Sequence, residues 1–107
     1  MNREKHIVVF VTTGGPEESE RISESLLTQR QAACINTVPG IKSRFWWQGK
    51  LESAEENLLI VKTRESLLPR IIDTVKKIHH DSVPEIIALP VIGGNPDYLD
   101  WINGEVK

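Results

Sequence analysis

Two short stretches of this chain, Ile7–Val11 and Leu58–Val61, are apolar at every position. A strand with one face in water alternates apolar and polar residues, because successive side chains point to opposite sides of the sheet. Strands that do not alternate need cover on both faces. The sequence therefore predicts a sheet whose first and third strands are buried from two sides. What the rest of a 107-residue chain can supply as cover then becomes the main constraint.

Ile7–Val11 ends at Gly14-Gly15, and Gly15-Pro16-Glu17-Glu18 opens a helix. Proline is preorganised for the first helical position, and acids in the first turn face the positive end of the helix dipole. Ile22, Leu26 and Leu27 form a narrow apolar stripe flanked by Ser19 and Ser23. A second strand is expected over Ala33–Thr37, with a bulge or bend at Pro39-Gly40 and extended chain from Ile41 to Trp47. Gln48-Gly49-Lys50 is a turn signal, and Glu56–Thr63 is the expected third strand. Ser66 is the expected N-cap of the next helix, which leaves Pro69 in its first turn. Leu68, Ile71, Ile72, Val75 and Ile78 follow at helical spacing. Pro84 precedes a fourth strand, Glu85–Ile92, and Asn95-Pro96-Asp97 caps a short final helix through Ile102.

The order β-α-β-β-α-β with a terminal helix predicts an α+β fold, a ferredoxin-like sandwich forming one domain over residues 1–107. Right-handed crossovers place both long helices on one face of the sheet. The other face stays bare, although its strands are apolar and the hairpin adds Phe45, Trp46 and Trp47. Another copy of the chain is the expected cover. The alternative is that the final helix folds back over this face with Tyr98, Leu99 and Trp101.

A formal net charge of -2 with mixed signs argues against nucleic-acid binding, which needs a basic face. Ile7–Val11, the longest apolar run, is too short to span a bilayer. The single cysteine, Cys34, cannot form an internal disulfide, and Met1–His6 has no apolar core of a leader peptide. Both features suit a reducing cytoplasm. Cys34 follows Ala32-Ala33 and reads as a buried structural thiol. No Ser-His-Asp set and no HExxH appears, so no enzymatic activity is expected.

His79, His80 and Asp81 come together at the end of the second long helix, and Glu85 lies a short loop away. Imidazole and carboxylate suit Zn(II), Cu(II) or Ni(II). Adjacent histidines on a helix point apart, so His79 with Glu85 is the expected metal pair. A structural alternative is that His79 simply favours the negative end of the helix dipole. Gly14-Gly15, before a helix, also resembles an anion-binding corner. Lys62, at the end of the third strand, offers charge to an anion.

Ala32-Ala33-Cys34-Ile35-Asn36, Pro39-Gly40 and Ser43 resemble the signature of the CutA family of divalent-cation tolerance proteins. Phe45-Trp46-Trp47-Gln48-Gly49-Lys50 is similar to that family's aromatic hairpin. Glu56, Lys62-Thr63, His79, Pro84-Glu85-Ile86 and Tyr98-Leu99-Asp100-Trp101-Ile102 follow in its order and spacing. The resemblance runs from about Ile7 to Ile102. It implies a ferredoxin-like, PII-like homotrimer with a role in tolerance of divalent metals, copper above all. Val11 stands where some members carry a cysteine discussed as a copper ligand, which removes the soft donor that Cu(I) prefers. Asp81 replaces a tyrosine common in the family.

Two functions follow as expectations. The first is a non-enzymatic, metal-binding homotrimer of metal homeostasis, with His79 and Glu85 as ligands for a divalent ion such as copper or zinc. The second is a PII-like signalling trimer with an unidentified protein partner. In that case Gly14, Gly15, Trp47 and Lys62 would line a cleft between subunits that binds a small anion.

Overall fold

The computed structural model describes residues 4–107; Met1–Arg3, part of the segment read for a leader, lie outside the described residues. The chain order is β1 (His6–Thr13), α1 (Pro16–Thr28), β2 (Cys34–Trp47), β3 (Lys50–Arg64), a 3-10 turn (Glu65–Leu67), α2 (Leu68–Ile78), β4 (Ile86–Pro90) and α3 (Pro96–Glu105). The four strands form one sheet in the order β2-β3-β1-β4, with every neighbouring pair antiparallel. Among the described residues, no helix is long and apolar enough to cross a membrane.

The two strands that lack alternation, β1 and β3, are the two central strands. Val9 faces Val61 and Val11 faces Leu59 across the ladder. With Ile7 these residues meet Ile22 and Leu26 of α1, and Ile71 and Val75 of α2, in one buried cluster. Of the stripe expected for α1, Ile22 and Leu26 are buried while Leu27 stays exposed, and α2 docks through the 3.6-residue period its sequence shows.

Registry across the opposite face brings Phe10 beside Ile60 and Ile87, and Val8 beside Lys62 and Leu89. Residues of α3 cover only one end of this face. The His6 Nε2 lies 3.0 Å from the Leu99 carbonyl, Tyr98 reaches Cys34, and Ile102 is buried. Ile87 is still 51% exposed and Leu89 40%. Tyr98 and Trp101 pack on one another but stay partly in water. The final helix thus folds back as the self-covered alternative required, yet most of the apolar face remains open.

The β2-β3 hairpin is longer than the sequence pattern indicated. The third strand starts at Lys50 rather than Glu56, because β2 pairs with it all the way to the turn, where Trp47 faces Lys50. Gln48 and Gly49 both have positive φ, 50° and 78°, the two-residue loop geometry that matches the strand twist. The expected irregularity at Pro39-Gly40 is present as a register shift between Val38 and Ile41. The buried Asn57 accepts the Gly40 N–H there and donates to the Ser19 hydroxyl.

Two local expectations fail. Ser66 does not cap α2: it lies inside the 3-10 turn, and α2 starts at Leu68 without any side-chain cap. That turn supplies the entry, and the Ser66 N–H is met by Glu4 instead. The fourth strand ends at Pro90, not Ile92; after the Val91 N–H bonds to the His6 carbonyl the chain leaves the sheet. Asn95 caps α3 as expected, its side chain accepting the Asp97 N–H.

Candidate functional site

The end of β1, the start of α1 and the chain leaving α2 meet at one corner. Gly15 is the N-cap of α1 and Pro16 its first residue, so Glu18 stands one turn in, with its carboxylate turned back toward the strand. The Glu18 Oε1 accepts the Gly14 N–H at 2.8 Å, and Oε2 accepts the His80 N–H at 2.8 Å. The same carboxylate receives the His80 ring, with Nδ1 at 2.8 Å from Oε2 and 3.0 Å from Oε1. One acid thus ties three segments together.

Helix α2 ends at Ile78, and His79 is its C-cap with extended backbone. Because His79 and His80 lie beyond the helical geometry, their rings do not point apart. They stack, with centroids 5.1 Å apart and planes 15° from parallel. The His79 side chain is fully buried, its Nε2 2.6 Å from the Thr12 carbonyl and its Nδ1 3.0 Å from the Asp81 N–H. An N–H can only donate, so Nδ1 is the acceptor and Nε2 carries the proton given to Thr12. Both His79 nitrogens are engaged within the chain. The reading of His79 as a helix-terminal, structural histidine describes this geometry best.

Glu85, the other expected ligand, is exposed on the loop before β4 and does not belong to the group around His79. The acids that do approach the histidines are Glu18 and Asp81. Ligand atoms of Glu18, His79 and His80 all lie within 4.8 Å of one another. Asp81 Oδ1 is 3.0 Å from His80 Nε2, and Asp81 Oδ2 is 4.0 Å from His79 Nδ1. No spacing in the sequence announces Glu18 as a partner, because 62 residues separate it from His80.

Gly14 belongs to the corner for a steric reason. A Cβ placed on it would lie 2.5 Å from the His80 Cε1. The imidazole therefore sits directly over the glycine, and a larger residue would push it off Glu18.

The four residues of the anion-site reading are not gathered within one chain. Lys62 pairs with Val8, six residues before Gly14, a separation of roughly 20 Å at a strand's rise of about 3.3 Å per residue. Its Nζ points to Cys34, 4.0 Å away. Trp47 is at the hairpin tip, farther still in a molecule 48 Å long. Gly14 and Gly15 lie at the histidine corner, where Glu18 occupies the Gly14 N–H that an anion would use. Cys34 is half-buried, next to Lys62 and Tyr98.

Burial alone would push the Glu18 carboxyl up. The Gly14 N–H, the His80 ring and N–H, and His79 outweigh it and hold Glu18 below the ordinary carboxylate value. The hydrogen bond to Glu18 raises His80 above the ordinary imidazole value despite partial desolvation, and the nearby charges of Glu18, Asp81 and Glu56 add to the rise. The raised His80 contributes stability that is fully present below its unfolded value, about 6.5, and is lost as pH rises through the folded value. The lowered Glu18 contributes above its unfolded value, about 4.3, and loses that contribution as pH falls through the folded value. The pair is thus most stabilising between about pH 4.5 and 6.5. Thermal unfolding of wild type and Glu18→Gln across pH should differ most in that window. The gap should narrow toward pH 8; a gap independent of pH would contradict the pairing.

Comparison with known proteins places this geometry. The family described as CutA1 divalent ion tolerance protein matches residues 7–105. The chain is 48% identical over 101 residues to Protein CutA 1, chloroplastic, of Oryza sativa subsp. japonica, covering 94% of this chain and 57% of that protein. The chain thus spans little more than half the length of that rice relative. It is 43% identical to the divalent-cation tolerance protein CutA of Archaeoglobus fulgidus, covering 95% of this chain and 99% of that one. The crystal structure of CutA1 from Oryza sativa superposes with a TM-score of 0.93 at 47% identity, covering 96% of this chain and 94% of that one.

Proposed function

This chain belongs to the CutA1 divalent ion tolerance family, and from that membership we propose that it is a non-enzymatic homotrimer that binds divalent cations, copper above all, in metal homeostasis. The observation that carries the binding is the gathering of Glu18, His80 and Asp81 at the end of β1, with carboxylate oxygens 2.8 and 3.0 Å from the two ring nitrogens of a His80 that stacks on the buried His79. Carboxylate and imidazole are donors for borderline divalent metals rather than for Ca(II) or Mg(II), which favour all-oxygen sites. The corner is built from three chain segments, which supports a positioned site rather than incidental capture by loose surface histidines.

The trimer is supported by the open sheet face. Ile87, Leu89, Phe10, Ile60 and Val38 form a contiguous apolar surface that α3 leaves uncovered. A closed ring of copies would bury it on every subunit. The strand order β2-β3-β1-β4 with α1 and α2 on one face supports the ferredoxin-like description. The single thiol, Cys34, suits a reducing compartment such as the cytoplasm.

Isothermal titration of Cu(II), with Zn(II) for comparison, into metal-stripped protein at neutral pH should give one saturable site per chain. Light scattering of the same sample should give three times the chain mass. Unsaturable heat with no preference between the two ions would overturn the binding reading. A monomer at micromolar concentration would overturn the assembly.

A further inference from the structure

We propose that Lys62, Tyr98 and Asn36 form a site for a small organic carboxylate on the sheet face opposite the α1-α2 core, where the cover from α3 stops. The site is separate from the histidine corner and does not rest on the cation-binding reading above. Residues opposite one another in the ladder share a face, so Cys34, Lys62, Val8 and Leu89 form one row across all four strands. The Lys62 side chain is half-buried in that row. Its Nζ donates to the Cys34 sulfur over 4.0 Å. Among the described residues, no carboxylate forms an ion pair with it. An ammonium has three protons to place and thiol sulfur is a weak acceptor, so most of the donor capacity of Lys62 is unused. A partly desolvated cation without a counter-charge is costly, and an anion seated against it offsets that cost.

Two more polar groups converge on the same sulfur. The Asn36 Oδ1 lies 4.0 Å from it, and the Tyr98 hydroxyl bonds to it. A carboxylate in front of the thiol would receive the Lys62 ammonium and the Tyr98 O–H, and the exposed Asn36 amide offers its N–H by a half-turn of its last bond. What lies beside the charge selects the rest of the ligand. Val8 and Leu89 continue the row from Lys62, and Tyr98 packs on Trp101 with ring centroids 5.5 Å apart. Leu89, Tyr98 and Trp101 are 40%, 41% and 43% exposed, so this apolar surface is open to a ligand body. Arg64, the next cation on this face, stands two residues on and has Glu4 as its neighbouring charge. One ammonium therefore faces one negative charge beside an apolar wall. That combination fits an amphipathic monocarboxylate better than phosphate, which brings more charge and no apolar body. A second copy lying over Val8 and Leu89 would shut out water and strengthen the pairing.

The test is titration of benzoate into the whole metal-stripped protein at neutral pH and constant ionic strength, followed by the amide and indole signals in nitrogen-15 magnetic resonance. Wild type should show saturable shifts at the Cys34, Lys62 and Tyr98 amides and at the Trp101 indole. Benzamide, the same ring without the charge, should give no saturable shift. Lys62→Met should weaken benzoate about 10–100-fold, the range for losing a hydrogen bond to a charged group. If Lys62→Met does not fold by circular dichroism, Lys62→Gln serves the same comparison. Tyr98→Phe should weaken benzoate by a smaller factor, and His80→Gln should bind it as wild type does. Shifts that never saturate, an equal response to benzamide, or unchanged binding after replacement of Lys62 would each overturn the site. Inorganic phosphate binding as tightly as benzoate would overturn the choice of a carboxylate. Loss of benzoate binding in His80→Gln would move the anion to the histidine corner and overturn the assignment to Lys62. Cu(II) titration is read at the histidine corner, so failure here and failure of the cation-binding reading are told apart.

Discussion

Replacing Ile87 by aspartate should convert the proposed trimer into folded monomers, read by light scattering as a fall to one third of the mass. Ile87 lies on the edge strand β4 opposite Phe10, on the apolar face that the helices leave open. Half of its surface is still accessible in the single chain, so a carboxylate there is solvated in the monomer. Once a second copy covers the face, the same carboxylate must shed its water against Phe10 and Ile60, at a cost of several kcal/mol for an unpaired charge. A closed ring repeats that cost at every subunit contact. The buried core lies on the other face of the sheet, so far-ultraviolet circular dichroism should keep its wild-type shape. A variant that remained trimeric would show that this face is not the one that associates. A variant that lost its secondary structure would show that the face is needed for the chain to fold at all.

The second large effect is expected in the core. Leu59→Ala should lower the free energy of unfolding by about 2–5 kcal/mol, the range for truncating a fully buried leucine that leaves a cavity. Leu59 is inaccessible to solvent and sits in β3 between Val11 of β1 and Thr37 of β2. Backbone pairing on both sides fixes its Cα, so the hole cannot close by a strand shift. Chemical denaturation at one fixed protein concentration is the measurement, because association adds to apparent stability by mass action. A loss under about 1 kcal/mol would mean that Ile22, Leu26 and the neighbouring side chains collapse into the space. The two variants separate the two faces of one sheet: Leu59 tests folding, and Ile87 tests assembly.

The histidine corner shows where reading along a chain stops. The sequence brings His79, His80 and Asp81 together because they are consecutive, and it names Glu85 because that acid is a short loop away. Nearness in the chain is a poor guide there. Glu85 faces solvent, while Glu18 supplies the carboxylate. Helical geometry predicts that adjacent histidines diverge, but α2 stops one residue earlier and the two rings stack. Gly14 was legible as a corner glycine, yet its steric role depends on a ring that arrives from the far end of α2.

What the sequence by itself determined is the set of elements, their order and the composition of the core. The missing alternation in Ile7–Val11 and Leu58–Val61 is a local pattern, and it marks out β1 and β3, the central strands, which bury one face in the core and leave the other half-buried. The α1 and α2 stripes, the irregularity at Pro39-Gly40 and the Asn95 cap are likewise set by neighbours a few residues apart. Only the tertiary structure decided the length of the β2-β3 hairpin, the entry to α2 and the members of the histidine corner. Strand pairing, backbone turns and side-chain hydrogen bonds there join residues whose separation in the chain carries no periodicity. A carboxylate on α1 and an imidazole beyond α2 meet because two helices pack side by side on one face of a sheet, and that packing exists only once the chain has folded.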